Sequence, residues 1–131
     1  MKSKTLAQLK KIAWKWLSLC VRQEAADRLG YVRCYTCDWV GMWTQAQASH
    51  AIPGRSGAGL FDESIIRCCC SRCNVALRGN YPVFTTRVIK ENGMGWWETK
   101  LAASHLVKKW TRAELLDLIE SYKGRLKALD R

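Results

Sequence analysis

Two Cys-x-x-Cys pairs stand out in the chain, Cys34-Tyr-Thr-Cys37 and Cys70-Ser-Arg-Cys73. Each pair is able to present two thiolates from a tight knuckle or a helix start. A closed structural Zn²⁺ site needs four such ligands at about 2.3 Å in a tetrahedron, and the two pairs complete that set. The competing reading is four buried free thiols, which paired spacing in a reducing compartment disfavours. There are seven cysteines in all, so an odd number is left over and some have no ligand role. Cys68 and Cys69 adjoin the second pair, and Cys68 competes with Cys70 on position. Only Cys70 with Cys73 repeats the spacing of the first pair, so these two are assigned. Cys20 falls on an apolar helical face and reads as core.

Ser49-His50 lies between the two pairs, and Asn74 follows the second directly. A lone histidine normally reads as a satisfied surface or core residue. The place of His50 between two zinc pairs turns it into a candidate for catalysis. Asn74 reads either as a cap for the helix at Cys73 or as a group at a catalytic metal. A knuckle, a hairpin ending in His and a helix starting at Cys-Asn would form a ββα-metal arrangement in which zinc holds the scaffold and the chemistry lies elsewhere. Phosphodiester cleavage needs a base to activate water and a cation to neutralise charge on the phosphate and leaving oxygen. An imidazole titrating near neutrality suits the first task, and an oxygen-ligated Mg²⁺ or Mn²⁺ suits the second. His105 has no such context and reads as a helix-face residue.

The elements that must position these residues are legible as periodicities. From Thr5 to Leu29, Leu6, Leu9, Ala13, Trp16, Leu17 and Cys20 recur at helical spacing, with Gly30 as the expected C-terminal cap. Tyr31 to Ala51 is rich in β-formers and pivots on Asp38–Gly41, which predicts a hairpin carrying Cys34 and Cys37 on its first strand and ending near His50. Pro53 to Gly59 predicts a loop. A short helix after Cys70 should end at Gly79, with further helices over Val83–Lys90 and Trp96–Lys108. The last begins at Thr111, where Thr111 and Glu114 fit a capping box, and runs through a stripe of Leu115, Leu118, Ile119, Tyr122, Leu126 and Leu129.

At 131 residues with 48% apolar content and no long apolar run, the chain suits one cooperative domain and no bilayer span. The basic Met1–Lys4 start leads into an amphipathic pattern rather than an apolar secretion signal, so a cytosolic location is expected. Lys and Arg number 22 against 11 acidic residues, a formal charge of +11. Such an excess favours a polyanionic partner, because neutralised phosphates release condensed counterions. A merely soluble surface is the plainer alternative.

The order Cys34-x-x-Cys37, Ser49-His50, Cys70-x-x-Cys73-Asn74 resembles the endonuclease VII branch of the His-Asn-His (HNH) nucleases, phage enzymes that resolve branched DNA. A closer resemblance covers nearly the whole chain. Gly30-Tyr31-Val32-x-Cys34-x-Thr36-Cys37, Ser49-His50-Ala51-Ile52-Pro53-x-Arg55, Phe61-Asp62-Glu63, Cys70-x-x-Cys73-Asn74, Gly79-Asn80 and Lys109-Trp110-Thr111-Arg112-Ala113-Glu114-Leu115 are similar to the NinG (Rap) recombination endonucleases of lambdoid phages. The resemblance implies an α+β, mainly helical chain with a small zinc-stapled ββα-metal core, HNH and treble-clef-like. That core would span residues 31–80, between an N-terminal helix over 1–30 and a C-terminal helical region over 81–131. It also implies metal-dependent cutting of Holliday junctions and D-loops in the cytoplasm of a phage-infected host. Carried over, His50 is the general base, Asn74 a ligand or positioner of the catalytic Mg²⁺ or Mn²⁺, and Asp62 a source of a carboxylate, although Asp62 also suits a turn. Three positions depart from the pattern. Ser49 stands where endonuclease VII has a metal-binding aspartate, although NinG-like proteins also carry a small residue there, and Ile65 and Arg67 stand where the NinG pattern has an asparagine and a histidine. Neither Ile nor Arg binds Mg²⁺, which thins the expected metal shell.

Arg55, Arg67, Arg72, Arg78 and Arg87 cluster in sequence around the proposed site, and Lys108, Lys109 and Arg112 surround Trp110. The first group suits phosphates flanking a cut and the second a DNA arm. Most of the seven tryptophans, Trp14 and Trp16 among them, read as core anchors, whereas an exposed Trp96 or Trp97 suits stacking on unpaired bases. Three functions compete: a structure-selective endonuclease, a zinc-containing branched-DNA-binding module without cleavage, and an interaction protein working through its terminal helices. A symmetric junction needs two cuts, so a homodimer is expected.

Overall fold

The computed structural model describes residues 3–53 and 57–129, and Arg55 lies outside that set. The first helix, α1, runs over Leu6–Ala25. Thr5 and Gln8 close it with a reciprocal box: the Thr5 amide donates to Gln8 Oε1 at 2.8 Å and the Gln8 amide to Thr5 Oγ1 at 3.1 Å. The helix stops four residues before the expected Leu29. Asp27 takes over the local backbone there, its carboxylate accepting from the Leu29 and Tyr31 amides at 2.9 Å each, which offers the chain an alternative to another helical turn. Gly30, at φ +89°, therefore serves the turn into the next strand rather than the helix end.

The buried face of α1, Leu9, Ala13, Leu17 and Cys20, packs on Leu115, Ile119 and Tyr122 of α4 (Arg112–Leu129). The Cys20 thiol donates to the Tyr122 carbonyl at 3.3 Å. Full burial of Leu17 and Leu115 stabilises this seam by roughly 1.5–3 kcal/mol per side chain. At its rim Arg125 grips both the Glu24 and the Glu63 carboxylates, with N–O distances of 2.5 to 3.0 Å. The helix start at Thr111 is as expected, with the Thr111 amide on Glu114 Oε1 at 3.0 Å and the Glu114 amide on Thr111 Oγ1 at 3.2 Å.

The strands pair differently from the single hairpin expected over Tyr31–Ala51. β1 (Tyr31–Arg33) pairs with β2 (Val40–Met42), and the turn between them, rather than a strand, carries Cys34 and Cys37. After a 3₁₀ turn over Trp43–Gln45, β3 (Ala46–His50) pairs antiparallel with β4 (Ile66–Cys70), in register from Ala46↔Cys70 to His50↔Ile66. The reason is burial: Ala46, Ala48, Ser49, His50, Ile66, Cys68, Cys69 and Cys70 are all buried, and such two-sided burial leaves no alternation to read. A single π-helical turn, Arg72–Ala76, then takes the place of the short helix expected to Gly79. Gly79 (φ +101°) ends the segment by donating its amide to the Cys73 carbonyl at 2.8 Å.

Helices α2 (Tyr81–Asn92) and α3 (Met94–Ser104) follow, separated by Gly93 at φ +95°. The second helix of this pair is shorter than the expected Trp96–Lys108. Phe84 and Val88 of α2 join Ile52, Ile65, Cys69 and the knuckle cysteines in a second core. The architecture is α+β and mostly helical, with two small two-stranded sheets. Among the described residues no helix is long and apolar enough to cross a membrane.

Candidate metal centre and adjoining cleft

The β1–β2 turn, the end of β4 and the π turn after it bring Cys34, Cys37, Cys70 and Cys73 together, with all four Sγ atoms within 4.8 Å of one another. In a zinc tetrahedron with bonds of about 2.3 Å, sulfurs sit about 3.8 Å apart, close to the 3.6 Å between Cys37 and Cys70. Backbone amides already point at these sulfurs: Thr36 and Cys70 at Cys34 (3.4 and 3.2 Å), Trp39 at Cys37 (3.4 Å) and Cys73 at Cys70 (3.4 Å). The Asn80 amide lies 3.7 Å from Cys73 Sγ and donates to the Thr36 carbonyl at 3.2 Å. Amide donors around sulfur fix ligand orientation and stabilise thiolate charge. Burial raises the Cys34 thiol, but hydrogen bonds from Thr36 and Cys70 outweigh it and bring it down to about 6. Donor set and spacing fit a structural Zn²⁺.

The three remaining cysteines are separate from this cluster. Cys68 packs with Ala26, Val32 and Ala46, Cys69 lies against Phe84 and Val88, and Cys20 lies in the α1–α4 seam. Burial pushes their thiols up, to about 11, 12 and 11 respectively, which makes them poor ligands and poor nucleophiles.

Beside the cluster an open cleft of about 440 Å³ is lined by Trp14 and Ser18 of α1, Gln47 through His50 of β3, Pro53, Asn74 and Tyr81. The β3–β4 ladder carries His50 and Ser49 into it, and the π turn brings Asn74 across. Ser49 Oγ donates to Asn74 Oδ1 at 2.8 Å, and the Asn74 amide donates in turn to Gln47 Oε1. His50 is buried, with Nε2 2.9 Å from the Leu60 carbonyl. A carbonyl oxygen only accepts, so Nε2 carries a proton in this hydrogen bond. The indole of Trp14 stacks on the imidazole, with centroids 4.7 Å apart and planes at 19°.

Sequence reasoning brought His50 and Asn74 toward one site, and both line this cleft. Asp62 does not line it. One Asp62 oxygen accepts from the Ser64 amide and hydroxyl at 3.1 and 2.6 Å, and the other takes the Lys100 ammonium at 3.1 Å. Burial pushes the Asp62 carboxyl up, but these Ser64 and Lys100 bonds prevail and hold it below the usual range. Ile65 is buried in the second core. Arg67 donates to the Ser64 and Ile66 carbonyls at 2.9 and 3.0 Å and lies 5.3 Å from the Tyr35 ring. Gln47, Ser18 and Tyr81 escaped the sequence reading; the one available signal was the helical i, i+4 spacing of Trp14 and Ser18.

The proposed DNA contacts divide. Arg72, Arg78 and Lys109 are exposed and make no ion pair among the described residues. Lys108 is tied to Glu114 at 2.7 Å and lies over the Trp110 ring, and Arg112 donates to the Lys4 carbonyl at 2.5 Å. Arg87 is likewise engaged, with the Tyr35 carbonyl and with Glu91.

Fold and site together define a basic α+β protein that sets a four-cysteine cluster able to hold a metal ion beside a polar, histidine-bearing cleft. The chain matches the model of the bacteriophage lambda NinG protein family over residues 2–131 and belongs to that family. No curated protein and no solved structure matches it.

Proposed function

We propose that this chain is a structure-selective DNA endonuclease acting on branched recombination intermediates, with the cysteine cluster as its zinc-held scaffold and His50 as general base. The carrying observation is the setting of His50: at the end of a strand, Nε2 engaged by the Leu60 carbonyl, in the same cleft as the Ser49–Asn74–Gln47 chain. On this reading β3, β4 and the turn after Cys70 serve as the ββα-metal core of an HNH nuclease. His50 takes the proton of the attacking water at Nδ1, and the Leu60 carbonyl supports the imidazolium that forms. Asn74, Ser49 and Gln47 offer neutral oxygens of the kind that Mg²⁺ or Mn²⁺ accepts. The cation would supply charge neutralisation at the phosphate and leaving oxygen. No carboxylate is among the described residues lining the cleft, so the anionic ligands must come from the DNA itself. Arg72, Arg78 and Lys109 then grip phosphates outside the cleft, and two cuts at a junction call for a homodimer.

That same lack of a carboxylate favours a second reading, a zinc-containing module that binds branched DNA and does not cut it. The two separate in one experiment. Zinc-loaded protein is incubated with an end-labelled four-way junction and a matching linear duplex, under Mg²⁺, Mn²⁺ or EDTA, beside His50→Ala. Metal-dependent cutting of the junction alone, lost in His50→Ala while binding persists, is the expected result. Binding by both proteins without cutting under any metal would replace the nuclease reading with the binding module.

A further inference from the structure

The α1 helix stands outside the proposed nuclease core, yet it forms one wall of the cleft and lays Trp14 flat on His50. The hydrogen bond from Nε2 to the Leu60 carbonyl fixes the in-plane direction of the imidazole. A ring lying nearly parallel at 4.7 Å bears on the tilt of its plane. The two constraints together aim Nδ1 in one direction. Trp14 is well placed to impose its plane: Ala13 beside it and Leu17 one turn on are fully buried against α4, and Arg125 locks α1 to α4 through Glu24. His50 in turn is held by its register with Ile66 on β4.

We infer that Trp14 is the positioning residue of His50, so that the N-terminal helix completes the reactive site from outside the zinc-held core. The inference rests on the nuclease reading for its catalytic consequence, but the positioning itself does not require cleavage. Trp14 touches no reacting atom; it acts by holding the imidazole in the plane from which Nδ1 meets the attacking water. Geometry of this kind carries large rate factors, since misplacing a reacting group by about 1 Å costs up to about 10²-fold.

The test compares Trp14→Phe, which keeps a flat aromatic face, with Trp14→Leu, which keeps apolar bulk without one. Three quantities are measured on the zinc-loaded full chain: single-turnover cutting of a four-way junction, junction affinity in EDTA, and the His50 ring signals in proton–nitrogen correlation spectra. The expected result is a cutting rate roughly 10- to 100-fold lower in Trp14→Leu, with affinity unchanged and Trp14→Phe close to wild type. In wild type the His50 ring protons lie upfield through the indole ring current and report the Nε2–H tautomer. In Trp14→Leu the ring signals broaden as the imidazole samples more than one plane, whereas in Trp14→Phe they stay sharp. Equal rates in Trp14→Leu and wild type would overturn the inference, as would loss of affinity in parallel with rate, which would make Trp14 a DNA contact. If wild type does not cut, the nuclease reading fails, and positioning is decided by the spectra: an unaltered His50 line width in Trp14→Leu overturns it.

Discussion

The cysteine cluster and the His50 cleft lie side by side but are built on opposite principles. The cluster takes its four cysteines from two short segments and satisfies them locally, with amides of Thr36, Trp39, Cys70 and Cys73 on the sulfurs. The cleft is assembled from α1, β3, the π turn and the start of α2, and its polar groups satisfy one another across those elements. A metal-bound scaffold is a single cooperative unit, whereas a cleft walled by separate elements can lose one contact and keep its shape. The two regions should therefore respond to perturbation on different scales.

The sharpest break is at the metal. Purified protein is expected to carry one zinc per chain by elemental analysis, and Cys73→Ser or a strong chelator should unfold the region around β1, β4 and the π turn. Zinc binding free energy is folding free energy at such sites, on the order of 10 kcal/mol at pH 7. Cys68→Ala and Cys69→Ala should keep the zinc, because neither sulfur belongs to the group of four that lie within 4.8 Å of one another. Loss of zinc from Cys68→Ala would undo the ligand assignment.

Next in size are the two cores. Phe84→Ala, beneath the cluster, and Leu115→Ala, in the α1–α4 seam, should each cost about 2–5 kcal/mol in chemical denaturation. Only Phe84→Ala should also weaken zinc retention in a competition with a chromogenic chelator, since only Phe84 packs in the core that contains the knuckle. An equal weakening by Leu115→Ala would mean that the two regions are not separable.

Smaller again is the cleft. Asn74→Ala removes the partner of the Ser49 hydroxyl, which is 2% exposed, so a cost of about 1–3 kcal/mol with zinc retained is expected. Replacing exposed Arg72, Arg78 or Lys109 by Ala should leave stability unchanged and lower the salt slope of DNA binding by about 1 per residue if each meets a phosphate.

The smallest effect is electrostatic. The Asp62 carboxyl is held below its ordinary range, so its stabilisation is complete above the unfolded-state pKa and disappears as pH falls through the folded one. Asp62→Asn should therefore be less stable than wild type near neutrality, and the two stability curves should converge in acid. On the proposed function Asp62→Asn keeps its cutting rate, because its oxygens serve Ser64 and Lys100 and not the cleft. A large drop in rate without loss of stability would return Asp62 to the reactive site.

What the sequence by itself determined is what local chemistry encodes. The paired spacing of Cys34, Cys37, Cys70 and Cys73 named the four cysteines that the fold gathers, and Thr111 with Glu114 set the start of α4 to within a residue. The stripe from Leu115 to Tyr122 named the face that packs on α1. Tertiary structure decided the rest, since a contact between distant segments leaves no period or spacing to read. Residues 66–70 became the partner of the His50 strand because both are buried on two faces, which erased the alternation that marks a strand. Asp62 meets Ser64 and Lys100 rather than lining the cleft, and Arg67 turns to the carbonyls of its own segment. Trp14 reads as a core anchor along the chain, yet its ring lies on His50, a pairing that exists only once α1 has packed against β3.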